Sequence, residues 1–198
     1  MRRSAAETRA HVLEVAHELF YWRGIRGVGV DTIASEAGVA PTALYRLFES
    51  RDGLVAAYVE RADRLYKQWF DEVTADDGRS PRERILALFD AQTEQVQPDR
   101  CRGCPFLMAL AELPDPDHPA HRLAVGTKTW VSRRLGDLTA AAGVADPAAL
   151  ADQLTLVFEG TYASVQALGA TGPATGARLL AELVITAGER HPESRDHG

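Results

Sequence analysis

Cys101-Arg102-Gly103-Cys104 is a group whose spacing can do chemistry. Two thiols three residues apart can close a disulfide, and nearby cations or a helix start push a thiol toward the reactive thiolate. Arg100 and Arg102 flank the pair, and a helix is expected to begin at Cys104. Redox or electrophile sensing by Cys101 and Cys104 is therefore one chemistry on offer. The pair lacks the βαβ setting of a thioredoxin-like site. His118 and His121 extend it toward a zinc ligand set. Their mutual spacing is one residue short and Pro119 intervenes, so no metal is assigned. His11 and His17 read most simply as surface or capping histidines.

Catalytic patterns are missing from the sequence. There is no phosphate loop, no nucleophile elbow and no H-E-x-x-H. GIRGVG at 24–29 has spaced glycines, but no strand precedes it. Glu112, Asp115 and Asp117 beside His118 read as a solvated loop. A small helical enzyme or ligand carrier stands as the alternative class, and no cofactor is expected.

A third chemistry is the reading of DNA. Residues 31–48, DTIASEAGVAPTALYRLF, have the pattern of a helix-turn-helix. Ile33 and Ala34 face inward, and Ala37-Gly38-Val39 makes the turn, where glycine enters the left-handed region at little cost. The second helix offers Pro41, Thr42, Tyr45 and Arg46 outward, with Leu44, Leu47 and Phe48 toward the core. Such a helix fits the roughly 12 Å wide major groove.

The elements that position these groups are helices throughout, with no period-2 strand pattern. The first runs from about Ala5 to Trp22, and the next begins near Asp31, whose carboxylate is the expected cap. A third spans Pro41 to Phe48, and Ser50 caps a long fourth. Ser80-Pro81-Arg82-Glu83 opens the fifth as a capping box with proline at the first position. Helices then follow over Cys104–Leu113 and about Ala120–Ala142, after Asp146-Pro147, and after Gly172-Pro173. The fold class is all-α with about nine helices. Its 198 residues are 45% hydrophobic and 25% charged, as in ordinary globular proteins. No apolar run approaches the roughly 18 residues of a membrane span. The charged N-terminus reads as no signal peptide, and a reducing cytoplasm is the expected compartment.

The stretch LFYWRGIRGVGVDTIASEAGVAPTALYRLFESRDGL, Leu19 to Leu54, resembles the TetR family of transcriptional regulators. It carries the family's phenylalanine and glycine closing the first helix, then Ile-Ala, the Ala-Gly-Val turn, Leu-Tyr, phenylalanine, serine and a basic residue. GCPFLMALAELPDPDHP is similar to a segment common in one group of these regulators. Arg51 stands where the family usually has lysine, and Leu47 where it often has histidine. The resemblance implies a three-helix DNA-binding domain at 1–50 and a ligand-binding and dimerisation domain at 51–198. It places Ala40, Pro41, Thr42, Tyr45 and Arg46 on the recognition helix, with Thr32 and Arg51 on phosphates. Arg2 and Arg3 could reach the DNA backbone from an arm.

A short recognition helix reads few base pairs, so two copies on a two-fold axis would read a palindromic operator. The resemblance makes the last two helices the homodimer surface, where Gly160, Ala163, Ala167, Ala177 and Ala181 permit close approach. It also makes several inward aromatics the lining of an effector cavity. The candidates are Trp69, Phe89, Gln92, Phe106, Met108, Trp130, Phe158, Tyr162 and Gln166, which suit a small, mostly apolar molecule. The net charge of −6 divides unevenly. Residues 1–55 hold seven arginines and seven acids, while 56–198 hold fifteen basic and twenty-one acidic residues. The acidity belongs to the sensor half, so DNA affinity rests on a few placed arginines.

Overall fold

The computed structural model describes residues 4–97 and 101–189. Arg2, Arg3, Arg100 and the tail after Glu189 lie outside the described residues. Those described form nine α-helices and no strand: α1 (Ala5–Arg23), α2 (Val30–Ala37), α3 (Pro41–Phe48), α4 (Arg51–Val73), α5 (Pro81–Gln95), α6 (Pro105–Glu112), α7 (Pro119–Ala141), α8 (Pro147–Leu168) and α9 (Ala177–Glu189). A single 3-10 turn, Pro173–Gly176, precedes α9. No helix among the described residues is long and apolar enough to cross a membrane.

Local chemistry starts most of these helices. Ser80 Oγ accepts the Glu83 N–H at 3.3 Å, and Glu83 Oε2 accepts the Ser80 N–H at 2.7 Å. Ser4 and Glu7 make the same reciprocal pair before α1. Ser50 Oγ accepts the Gly53 N–H at 2.9 Å, and Asp146 Oδ1 accepts the Ala149 N–H at 3.0 Å. Each satisfies a donor that the helix cannot satisfy itself. The expected cap of α2 is corrected: its N-cap is Gly29, without a side-chain bond, and Asp31 lies inside the first turn.

Contacts group the described residues into two compact units. One holds those of Met1–Tyr66 and Pro105–Thr127, the other those of Lys67–Cys104 and Lys128–Gly198. In the first, α1 packs on α2 and α3, and α2 on α3. Its core includes Val12, Ala16, Phe20, Ile33, Leu44 and Phe48. In the second, α5 and α8 both pack on α9 over Ile85, Leu88, Phe89, Leu154, Phe158 and Ile185. Full burial of such a side chain contributes about 1.5–3 kcal/mol.

His17 is not a surface residue. Its ring stacks on Tyr21 at 5.9 Å and tilts against Tyr58 at 5.5 Å. Its Nδ1 is buried without a hydrogen-bond partner among the described residues. Burial, aided by the charge of Arg61, pushes its pKa below the ordinary imidazole value. The unfolded chain therefore binds this proton more readily than the folded one. The stabilising effect of a neutral His17 is complete above about pH 6.5 and is lost as pH falls below it. The melting temperature is expected to fall between pH 7.5 and pH 5.5, and His17→Phe should lessen that fall. An unchanged pH slope in the variant would show that His17 does not contribute.

Candidate functional site

The helix-turn-helix is assembled from local rules and three distant contacts. α2 ends at Gly38 with φ +65° and ψ 36°, and the Gly38 and Val39 N–H groups return to carbonyls of the last turn. That left-handed step is strained for a residue with a Cβ. Pro41 then opens α3, where it forfeits only an N–H that would be unpaired anyway. Ile33, Ala34, Ala37, Leu44 and Phe48 are buried, which fixes the opposite face of α3 outward.

On that face Ala40, Pro41, Thr42, Tyr45 and Arg46 are all exposed, as is Thr32 at the start of α2. Tyr45 is 52% exposed, too much for a core aromatic. Arg46 is exposed and makes no hydrogen bond or ion pair to a described side chain. The α3 N-cap, Ala40, supplies no side-chain bond, and its carbonyl accepts the Ala43 N–H at 2.8 Å. Leu47 is only half-buried, less inward than the spacing suggests.

Distant contacts that the sequence did not announce hold this frame. His11 Nε2 lies 3.2 Å from the Ala37 carbonyl, closing the end of α2 against α1. The Arg9 guanidinium lies over the Phe48 ring, 4.9 Å from its centre. Arg51, expected on a phosphate, is half-buried and turned elsewhere. Its Nη2 donates to the Ile25 carbonyl at 2.5 Å and approaches that of Val28 at 3.4 Å. Arg51 Nη2 thereby serves carbonyls of the α1–α2 loop.

The effector candidates separate. Phe89, Gln92, Phe158 and Tyr162 are brought together in the second unit. Phe89 meets Phe158 edge-on at 5.7 Å, and Phe158 meets Tyr162 at 5.8 Å. Gln92 is fully buried and its Nε2 donates to the Phe158 carbonyl at 2.8 Å. Its Oε1 is buried with no hydrogen-bond partner among the described residues. Trp130 lies edge-on to Phe70 at 5.2 Å under the cations of Lys67 and Arg134, and Trp69 flanks the same phenylalanine. Phe106 and Met108 belong to the first unit, where Phe106 packs on Tyr66 at 5.5 Å. Gln166 is corrected: it is exposed, and its amide closes over Gly103.

Cys101 and Cys104 both carry buried side chains. His118 Nδ1 accepts the Ala120 N–H, while His121 Nδ1 bonds the Leu113 carbonyl at 2.7 Å. These rings cap a helix and a turn. Among the described residues no three metal-ligating side chains converge.

Residues 12–58 match the family model of bacterial regulatory proteins, tetR family. A tetR-transcriptional regulator from Streptomyces avermitilis, sav143, is 34% identical, with a TM-score of 0.79 over 93% of this chain and 99% of its own. SCO4454, a TetR-family transcriptional regulator from Streptomyces coelicolor, is 29% identical, with a TM-score of 0.88 over 93% of this chain and 97% of its own. The HTH-type transcriptional regulator YjdC of Escherichia coli is 26% identical over 177 residues, which is 89% of this chain and 93% of YjdC. With its helix-turn-helix and its likeness along nearly the whole chain, the protein belongs to the TetR family and is a transcriptional regulator, not an enzyme.

Proposed function

We propose that the protein is a cytoplasmic repressor that binds a palindromic operator as a homodimer and is released by a small, mostly apolar effector. The observation that carries the DNA reading is the uninterrupted exposed face of α3, from Ala40 through Arg46, set on a buried apolar face. Arg46 reads base edges, since guanidinium donates to both acceptors of a guanine. Ala40, Pro41, Thr42 and Tyr45 line the groove beside it. Thr32 meets phosphate at the start of α2. Arg51 acts one step removed, by holding the loop that leads into α2. The reading domain is 1–50 and the sensing and dimerising domain 51–198.

The effector reading rests on Phe89, Gln92, Phe158 and Tyr162. A buried amide oxygen without a partner costs about 1–3 kcal/mol, which a ligand donor would offset. Binding there lowers DNA affinity if the effector favours a conformation in which the two recognition helices are wrongly spaced.

The test is selection from random double-stranded DNA by the purified full chain. An inverted repeat should be enriched, its half-site centres about 34–36 Å apart or a multiple of that. Failure to enrich any sequence would sink the operator reading.

A further inference from the structure

The α6–α7 corner touches the chain on both sides of the helix-turn-helix. Glu112 ends α6, where a carboxylate is disfavoured by the negative end of the helix dipole. It is nevertheless half-buried, and its Oε2 accepts the Arg26 N–H at 2.7 Å, across 86 positions of sequence. Arg26 lies in the α1–α2 loop, four residues before α2 begins. Gly24 of the same loop has φ +86°, and a Cβ there would stand 3.3 Å from the Glu112 carboxylate. The loop thus adopts a glycine-only shape and comes close enough to be gripped. On the other side, His118 Nε2 lies 3.6 Å from Asp52 Oδ1, in the first turn of α4 and just after α3. His121 ties the corner to itself through the Leu113 carbonyl.

We propose that Glu112 and His118 form a two-point clamp that sets the pose of α2 and α3 on the frame of α4 and α6. Glu112 is a positioning residue: it touches no DNA, and it fixes the backbone that delivers the recognition helix. The proposal rests on the DNA-binding reading above. A clamp at both ends restrains rotation of the helix-turn-helix, whereas one at a single end leaves it a pivot. Half-site spacing in a dimeric operator is read by that pose, and base identity by the side chains of α3.

The test uses the full chain and the sequence enriched from random DNA, with half-site spacing varied by one and two base pairs. Glu112→Ala should weaken binding to the best site about tenfold, the size of one lost charge-assisted hydrogen bond. It should also flatten the preference among spacings, with the non-optimal spacings losing less than the best one, and leave base preference within each half-site unchanged. Glu112→Gln, whose amide oxygen can accept the same N–H, should stay near wild type. In the DNA-free protein, the Arg26 amide should lose exchange protection in Glu112→Ala and keep it in Glu112→Gln. Should Glu112→Ala fail to fold, Glu112→Asp, one methylene shorter, carries the same measurements. Unchanged affinity with unchanged spacing preference, or an Arg26 amide still protected without the carboxylate, would overturn the clamp. If wild type enriches no DNA, the operator reading fails, and exchange at Arg26 alone decides the clamp.

Discussion

Arg46→Ala is expected to weaken binding to the preferred operator by roughly 1–3 kcal/mol per half-site, or about 5- to 150-fold, and to relax the preference at one base pair. The magnitude follows from geometry. Arg46 is exposed on α3 and bonds no described side chain, so no internal contact is lost with it. Folding stability should therefore stay within about 0.5 kcal/mol of wild type, as for surface positions elsewhere. Binding curves on single-base variants of the operator decide between roles. A loss confined to one position marks base readout. An equal loss on every sequence marks a phosphate contact and refutes the assignment. Arg51 gives the contrasting case, because its Nη2 is committed to the Ile25 carbonyl.

Charging the outer face of α9 should have the larger effect. Leu179, Leu180 and Leu183 on α9 are 61%, 48% and 58% exposed, and Leu156 and Leu168 on α8 are 74% and 64% exposed. Gly160, Ala163 and Ala167 lie exposed between them on α8. A row of outward leucines beside small residues invites a matching row. In a two-fold interface every substitution counts twice. With about three-fifths of each leucine left to bury, Leu179→Glu with Leu183→Glu would remove on the order of 4–7 kcal/mol from association. The variant should sediment as a monomer at micromolar concentration and lose operator binding. Its circular dichroism should remain helical, since neither leucine is buried in the single chain. Wild type sedimenting as a monomer, or a variant still dimeric, would defeat this surface. Ala177 and Ala181, expected on the same surface, are buried against their own chain and contribute nothing to it.

Much of the fold was legible because its signals are local. A capping box needs residues three apart, and Ser80-Pro81-Arg82-Glu83 forms one as written. Asp146-Pro147 starts α8 on the same grounds. Gly38 is forced by the turn, and the buried face of α3 follows from Leu44 and Phe48 one turn apart. Asp31 misled because a carboxylate caps equally well on paper at several positions, and here Gly29 takes the place. Gln166 misled because helical spacing cannot tell a groove from an open flank. The short link after Glu112 read as solvated because its partners, Arg26 and Asp52, are distant in sequence.

The amino-acid sequence by itself determined the helices, the turn and the exposed face of α3, because each depends on residues within four or five positions. Only tertiary structure decided which charged groups are free to act. Arg46 and Arg51 look alike in sequence, yet one faces solvent and the other serves loop carbonyls. Glu112 looked solvated, yet it holds a backbone amide of the loop before the helix-turn-helix. A side chain's availability depends on which unpaired groups the fold brings within about 3 Å of it, and no local pattern encodes that distance.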